Sequence, residues 1–308
     1  MKRMVVFAGQ GAQAVGMGKD LAEAYPECRA LFQKAGDVLG FSLSQLCWEG
    51  PIEELTKSNN CQPAIFVTSV ACLAALSREA PGLVFDAMAG LSLGEWSALH
   101  ASGALAFEDA LRILEARGRF MQDACAQREG GMVSIMGAVS IEKLKEICVA
   151  TGVEIANINS PEQVVLSGPK TAIPEAEKMA IAAGAKRAIV LNVAGAFHSS
   201  LMAPAAARLD GFLKTVTFKV PAIPVVANVT GQPHGGPDAI RQAMVLQVTS
   251  SVRWVESVQW ALAQGIRTFA ECGPGKVLSG LIKRIDKDAA ACDVQNAETA
   301  KKAPALLG

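Results

Sequence analysis

A serine between two glycines constrains the fold of this chain more than any other segment. Residues 90–94 read Gly-Leu-Ser-Leu-Gly, with an apolar run before them at 83–89 and a helix-favouring run after them. The apolar run predicts a strand, and a direct turn from strand to helix is too sharp for bulky neighbours. The two glycines leave room for this turn, while Ser92 is held in a strained conformation with its hydroxyl exposed. The pattern is typical of a nucleophile elbow.

A serine nucleophile needs a base near neutral pH, and the chain has only three histidines. His100 lies on the predicted helix after the serine, where a partly buried helix residue is the ordinary interpretation. His234 lies in a loop rich in glycine and proline, where we expect a solvated turn residue. His198 directly follows an apolar run at 188–193 that predicts a strand, a position where α/β proteins place functional residues. His198 is therefore the candidate base, with a structural or helix-capping histidine as the alternative.

Two main-chain amides are candidates for binding an oxyanion beside Ser92. The amide of Leu93 opens the predicted helix, where the helix dipole favours negative charge. The second candidate, Gln10, follows an apolar run at 4–8 that predicts the first strand. The glycines around Gln10 lack the spacing of a dinucleotide fingerprint, and the chain has no P-loop motif. A loop at the end of a first strand can instead offer the second oxyanion donor of a serine acyl-transfer site.

These segments and several others resemble the malonyl-CoA:acyl carrier protein transacylases, members of the acyltransferase family of fatty-acid and polyketide synthesis. The resemblance covers nearly the whole chain. The segments that carry it, in the order of the family, are residues 7–13, 89–95, 117–122, 157–161, 195–199, 228–231, 247–254 and 271–275.

The resemblance implies a reaction and a role for each catalytic group. Ser92 attacks the malonyl thioester of coenzyme A, and His198 is the base. The main-chain carbonyl of Gln247 orients the imidazole, and the amides of Gln10 and Leu93 form the oxyanion hole. The malonyl group passes through a malonyl-serine intermediate to the pantetheine thiol of acyl carrier protein, with ping-pong kinetics. This chemistry needs no metal and no cofactor.

Substrate binding is also implied by the resemblance. Arg117 binds the malonyl carboxylate, because a planar guanidinium can meet a carboxylate bidentately. Asn159 and Gln247 are expected to line the same site. Without the resemblance, Arg117 would be interpreted as a solvated residue of a charged helix. Arg112, on the same predicted helix, is expected to pair with Asp109 or Glu115 instead.

Two departures from the family bear on selectivity. Leu91 precedes the serine where histidine is usual, and Trp96 replaces a common tyrosine. A transacylase for methylmalonyl or a neutral acyl group is therefore an alternative, although Phe197 favours malonyl by resemblance. A serine thioesterase or hydrolase is a second alternative, but no carboxylate stands out as the third member of a triad. A non-catalytic scaffold has no evident need for this set of residues.

The pattern along the chain predicts an α/β protein with a parallel-sheet, α/β-hydrolase-like core and an inserted ferredoxin-like (βαββαβ) small domain. Residues 130–194 follow the order strand, helix, strand, strand, helix, strand. The core then comprises residues 1–129 and 195–308, and substrate would bind in the cleft between the domains. Further strands are expected at residues 225–228 and 268–271, and a frayed tail over residues 289–308.

Composition agrees with a cytoplasmic enzyme. The 308 residues are 51% hydrophobic, and 29 Lys and Arg balance 29 Asp and Glu. A net charge of zero favours neither nucleic acid nor an anionic membrane surface. We expect no segment to approach the ~20 apolar residues of a membrane span, and no signal peptide. Eight scattered cysteines without a C-x-x-C pair predict buried thiols in a reducing compartment.

The expected partners are malonyl-CoA and acyl carrier protein, and we expect the enzyme to be a monomer. Acyl carrier proteins are acidic, and two basic dipeptides stand out in this neutral chain: Lys186-Arg187 and Lys283-Arg284. These four residues, called the basic pairs below, are hypothesised to border the mouth of the cleft and steer the carrier protein. Ordinary solubility charge is the alternative explanation.

Overall fold

The computed structural model describes residues 1–308, which form eight strands and fourteen α-helices. The strands are β1 (Arg3–Phe7), β2 (Ala87–Gly90), β3 (Gly130–Met136), β4 (Glu154–Ser160), β5 (Gln163–Pro169), β6 (Arg187–Val190), β7 (Thr268–Cys272) and β8 (Ala290–Val294). The helices are α1 (Lys19–Ala24), α2 (Pro26–Leu39), α3 (Leu43–Glu49), α4 (Ile52–Thr56), α5 (Ser58–Glu79), α6 (Leu93–Ala101), α7 (Phe107–Gln127), α8 (Ile141–Thr151), α9 (Ile173–Ala182), α10 (Ala203–Leu213), α11 (Pro237–Leu246), α12 (Trp254–Ala263), α13 (Val277–Ile285) and α14 (Ala297–Leu307).

The strands form two four-stranded sheets, so the protein is a mixed α/β structure. One sheet is parallel, with the order β2-β1-β7-β8, and the other is antiparallel, with the order β4-β5-β3-β6. Every residue of β2 and β7 is buried, as expected for strands covered by helices on both faces. In the parallel sheet Phe7 pairs with Gly90, so the loops that follow β1 and β2 leave the same edge side by side.

The expected secondary structure of residues 130–194 is close to the observed one. The strands and helices occur in the predicted order, and all neighbouring strands of this sheet are antiparallel. Local signals set the helix ends. Ser140 accepts a hydrogen bond from the main-chain N–H of Lys143 at the start of α8, and Gly152 ends that helix in the left-handed region.

Two expectations about the parallel-sheet part were wrong. Residues 225–228 form no strand and make only isolated bridges, from Val225 to Met88 and from Val226 to Pro233. The supposed frayed tail is ordered: it contains β8, the edge strand of the parallel sheet, and α14. Leu307 of α14 is fully buried, so the small residues of this segment serve close packing rather than disorder.

One helix is longer and more apolar than the sequence analysis allowed. Helix α5 has 22 residues and contains an 18-residue apolar window with a mean hydropathy of 1.4, enough by length and composition to cross a membrane. However, 78% of its apolar window is buried inside the protein. It packs against α7, where a Cβ on Gly118 would lie 2.3 Å from the Ser58 carbonyl oxygen. Helix α5 therefore has the burial of a core helix, and its close contact with α7 fixes the neighbouring Arg117.

Candidate active site

Ser92 lies at the turn between β2 and α6, in a backbone conformation that L-residues rarely adopt. Its φ is 54° and its ψ is −103°. A Cβ on Gly90 would lie 1.9 Å from the Gly94 carbonyl carbon, and one on Gly94 would lie 2.2 Å from the Phe7 carbonyl oxygen. Both positions therefore require glycine. The turn holds the Ser92 side chain at the floor of the cleft, with 8% of the residue exposed.

His198 lies beside Ser92 in the cleft. Its Nε2 lies 2.9 Å from Ser92 Oγ, and its Nδ1 lies 2.8 Å from the main-chain carbonyl oxygen of Gln247. Burial, together with the positive charge of Arg117, lowers the pKa of His198 to about 4. The imidazole is therefore neutral at physiological pH, with a lone pair available to take the Ser92 proton. No carboxylate contacts the ring, in keeping with the sequence, which offered no third member of a triad.

Arg117 is 1% exposed and donates three hydrogen bonds inside the protein. Its Nη2 donates to Ser92 Oγ at 3.1 Å and to Gln247 Oε1 at 3.0 Å, and its Nη1 donates to Gln62 Oε1 at 2.7 Å. Its Nε has no partner. Burial lowers the pKa of Arg117 to about 10, and the guanidinium therefore remains charged at neutral pH. The interpretation as a solvated arginine does not fit, whereas Arg112 is exposed and pairs with Asp109 as expected.

The two candidate oxyanion donors lie on the adjacent loops after β1 and β2. The Leu91 main-chain N–H donates to the Phe7 carbonyl at 3.2 Å, which ties the loops together. The main-chain N–H groups of Gln10 and Leu93 donate to no protein acceptor. The side chain of Gln10 is held separately, through Ser58 Oγ at 3.2 Å. Both amides are thus free to bind a negatively charged oxygen.

A cleft of about 450 Å³ lies above Ser92 and is lined from both sheets. Gln10, Ser92 and His198 line it on the parallel-sheet side, and Asn159 of β4 lines it on the antiparallel side. The Asn159 Oδ1 atom is buried and has no hydrogen-bond partner, so the cleft wall contains an unpaired acceptor. Leu91 also lines the cleft, where it adds apolar surface beside the serine. The chain has no group of His, Cys, Asp and Glu side chains that could hold a metal ion.

Sequence reasoning missed a buried polar network beneath Ser92. Asn228 Oδ1 accepts from the Ser92 main-chain N–H at 2.7 Å, and Asn228 Nδ2 donates to the Gly90 carbonyl at 2.8 Å. Glu95, one turn after Ser92, is 1% exposed and accepts from the main-chain N–H of Asn228 and from Gln247 Nε2. The one sign of this network in the sequence was Glu95, a charged residue in the first turn of the largely apolar helix α6.

The other two histidines lie outside the reacting pair. His234 was expected to be solvated, and that expectation was wrong: its side chain is 1% exposed, and its Nε2 lies 2.7 Å from Glu95 Oε1. A loop rich in glycine and proline gives no sign of such burial, because the partner is 139 residues away. His100 packs against Phe66 and Phe107, with its Nδ1 3.0 Å from the Leu105 carbonyl oxygen.

Comparison with known proteins agrees with this geometry. The acyl transferase domain matches residues 4–306. The fold, the serine–histidine pair and this match define the class of the protein as an acyl transferase. The chain belongs to the malonyl-CoA:acyl carrier protein transacylase family.

Relatives within the family are similar over almost their whole length. The chain is 41% identical over 298 residues to the malonyl CoA-acyl carrier protein transacylase of Bacillus subtilis (strain 168), covering 96% of this chain and 93% of the relative. It is 44% identical over 283 residues to that of Escherichia coli (strain K12), covering 91% of each. Its fold matches the crystal structure of acyl-carrier-protein-S-malonyltransferase from Bartonella henselae, with a TM-score of 0.95, 40% identity and 100% coverage of both chains.

Proposed function

We propose that this protein transfers the malonyl group of malonyl-CoA to the pantetheine thiol of acyl carrier protein, supplying malonyl-ACP for fatty-acid elongation. The observation that carries the proposal is the position of Arg117, a buried guanidinium 3.1 Å from the oxygen of a serine nucleophile. A buried cation is costly unless it meets an anion or strong acceptors. A substrate whose acyl chain ends in a carboxylate supplies that anion.

The first half-reaction forms a malonyl-serine. The Ser92 hydroxyl gives its proton to His198 Nε2 as Oγ attacks the thioester carbonyl carbon. The negative charge that develops on the carbonyl oxygen is stabilised by the amides of Gln10 and Leu93, each worth ~3 kcal/mol by comparison with similar donors. The proton on His198 then passes to the leaving thiolate, and coenzyme A departs.

The second half-reaction reverses these steps with a different thiol. The pantetheine thiol of acyl carrier protein enters the position that coenzyme A has left, and His198 takes its proton. The resulting thiolate attacks the malonyl-serine carbonyl, and Ser92 leaves with the proton returned by His198. The malonyl group remains on Ser92 between the departure of coenzyme A and the entry of the second thiol, so the mechanism is ping-pong.

Arg117 distinguishes the malonyl group from neutral acyl groups. Its Nε and the remaining N–H of Nη1 donate no hydrogen bond within the protein, so the guanidinium retains donors for a carboxylate. Asn159 lines the cleft, whereas Gln247 is fully buried outside the cleft lining and accepts from the guanidinium through Oε1. A carboxylate that reached the guanidinium would place the thioester carbonyl near Ser92, which is the orientation that attack requires.

Recognition of the carrier protein is assigned to the basic pairs. All four residues are exposed, two on or just before β6 and two in the last turn of α13. The loop after β6 continues into the cleft wall through Leu191 and Val193. A solved structure that matches this chain with 40% identity and a TM-score of 0.95 contains a type II PKS acyl-carrier protein in complex with its malonyl-transacylase. An acidic partner docked near the cleft mouth would meet these charges.

The architecture favours a finer description as well. The parallel sheet with the elbow after β2 supports an α/β-hydrolase-like core at residues 1–129 and 195–308. The order β4-β5-β3-β6, antiparallel throughout, supports a ferredoxin-like small domain at residues 130–194. We also assign the protein to the cytoplasm as a monomer that binds neither membrane nor nucleic acid, in line with its zero net charge.

The mass of the intact protein after brief exposure to single thioesters tests the proposal. Wild-type protein should gain a malonyl adduct from malonyl-CoA, and Ser92→Ala should gain none. Addition of holo acyl carrier protein should remove the adduct and yield malonyl-ACP. Loss of the adduct to water at a comparable rate would favour the thioesterase alternative, and a faster reaction with methylmalonyl-CoA would favour the branched substrate. No adduct from any thioester with folded protein would contradict the proposal.

A further inference from the structure

Glu95 is a buried carboxylate that the proposed chemistry does not use. It is 1% exposed, and its two oxygens accept hydrogen bonds from three groups. Oε1 faces His234 Nε2 at 2.7 Å. Oε2 accepts from Gln247 Nε2 at 2.6 Å and from the main-chain N–H of Asn228 at 3.2 Å. A buried carboxylate with a full set of donors is costly to build by chance, so its role requires an explanation.

Glu95 Oε2 and the Ser92 main-chain carbonyl oxygen, 2.6 Å and 2.9 Å from Gln247 Nε2, together determine which way the Gln247 side chain points. An ionised carboxylate only accepts hydrogen bonds, whereas a side-chain amide has one accepting end and one donating end. Gln247 must therefore turn its NH₂ group toward Glu95. Its oxygen is then left on the other side, where it accepts from Arg117 Nη2 at 3.0 Å. The reverse orientation would place an NH₂ group against the guanidinium, donor against donor.

Glu95 also provides a negative charge for an arginine that has none in direct contact. Arg117 forms no ion pair, and its three partners are the neutral oxygens of Gln62, Ser92 and Gln247. Burial lowers the pKa of Arg117, and the charge of Glu95 acts in the opposite direction. The Glu95 carboxylate, the Gln247 amide and the Arg117 guanidinium thus lie in that spatial order, and the dipole of the amide is aligned between the two charges.

We propose that Glu95 is a positioning residue for the carboxylate-binding arginine, acting through the side-chain amide of Gln247 and held in place by His234. The proposal rests on the proposed function, in which Arg117 binds the malonyl carboxylate. It assigns Glu95 to the selectivity for malonyl rather than to the acyl-transfer chemistry itself, because neither Glu95 oxygen contacts His198 or Ser92 Oγ.

The first test compares acylation by two thioesters in the variant Glu95→Gln. Glutamine has nearly the same shape, but it carries no charge. The variant therefore loses the charge that balances Arg117 and leaves the Ser92 carbonyl as the stronger acceptor for Gln247 Nε2. We expect the rate of malonyl adduct formation at low malonyl-CoA to fall by about 10-fold or more, since the affected hydrogen bonds involve charged groups. Acetyl-CoA has no carboxylate, so its acylation rate should change by less than about 3-fold.

Glu271→Gln is a matched control. Glu271 is also a glutamate at 1% exposure, and its oxygens accept from the main-chain N–H groups of Leu278 and Ser279 at the start of α13. The same chemical change there should leave the ratio of malonyl to acetyl acylation unchanged, even if it lowers stability. An equal loss with both thioesters in Glu95→Gln, or no change with either, would overturn the proposal.

The second test does not depend on activity. Thermal unfolding of Glu95→Gln, Arg117→Met and the double variant measures whether the two charges are coupled. We expect the Tm loss of the double variant to be smaller than the sum of the single losses, because each single change leaves one buried charge uncompensated. Additive losses would overturn the proposal. The two experiments can disagree. If the wild type forms no malonyl adduct, the proposed substrate is wrong, and a double-variant Tm loss smaller than the sum of the single losses would still show that Glu95 and Arg117 are coupled.

Discussion

Ser92 and His198 are 106 residues apart in the chain, yet Ser92 Oγ and His198 Nε2 lie 2.9 Å apart. They are also the only two non-glycine residues with positive φ, at 54° and 57°. Such conformations cost of order 1–3 kcal/mol each and persist only where the surrounding structure enforces them. The hydrogen bonds of Asn228 to the elbow and of the Gln247 carbonyl to the imidazole provide that enforcement.

The pH profile of acylation should follow His198. Because its pKa is lowered to about 4, the imidazole stays neutral, and active as a base, as pH falls from 8 to 5. The kcat/KM for malonyl-CoA should therefore be nearly flat down to pH 5 and should decrease as pH falls through about 4. Quenched-flow measurement of the adduct, with circular dichroism at each pH to monitor folding, would check this. A half-loss near pH 6.5 in folded protein would contradict the inferred environment of His198.

Removing the base should slow both half-reactions. We expect His198→Ala to lower the rate of adduct formation by about 10²–10⁴-fold, the usual contribution of a positioned general base. The rest of the cleft would still bind malonyl-CoA. The variant should therefore lower kcat much more than it lowers the affinity for malonyl-CoA. Single-turnover rates and isothermal titration of malonyl-CoA to the variant separate the two effects.

Arg117→Met should reverse the substrate preference. We expect acylation by malonyl-CoA to fall by on the order of 10- to 100-fold, since a hydrogen bond to a charged group is worth about 1.5–3 kcal/mol. Acylation by acetyl-CoA should be retained. Arg112→Met is the matched control, because this exposed arginine lies on the same helix and pairs only with Asp109. Equal losses for both thioesters would argue against carboxylate binding by Arg117.

Gly118 should tolerate no side chain, because it brings α7 against α5. Alanine usually stabilises a helix interior relative to glycine by roughly 0.5–1 kcal/mol. At Gly118 the added Cβ would lie 2.3 Å from the Ser58 carbonyl oxygen, so Gly118→Ala should destabilise the protein by about 1–3 kcal/mol. Gly280 of α13 has no atom within 4 Å of the same Cβ, and Gly280→Ala should raise stability. Urea unfolding of both variants tests the contrast.

Charge reversal of the basic pairs should slow association with the carrier protein. We expect the on-rate at low salt to fall by about 10-fold or more, and the difference to shrink at high salt as the charges are screened. Acylation by malonyl-CoA alone should not change. Reversal of Lys301 and Lys302 on α14 is a control that leaves the cleft residues unaltered. An unchanged on-rate at low salt would show that the basic pairs serve solubility instead.

Local sequence predicted the sharp turn at Ser92 and much of the order of strands and helices, whereas His198 and Arg117 were assigned roles only by the family resemblance. The Gly-x-Ser-x-Gly turn and the alternating strands and helices each have a signature within a few residues. Backbone sterics set these signatures, so they can be identified without a structure. The strand expected at 225–228 and the frayed tail were wrong because apolar and small residues do not reveal what they pack against.

The sequence by itself determined which residue types are available for acyl transfer and the sharp turn that presents Ser92. Only the tertiary structure decided that Glu95, His234 and Gln247 meet beneath that turn, at separations of 139 and 152 residues from Glu95. Hydrogen bonds between such distant residues have no period along the chain, and burial depends on what all other segments contribute. The physical reason is that a local pattern fixes local geometry, whereas the burial and partners of a charge are properties of the packed whole.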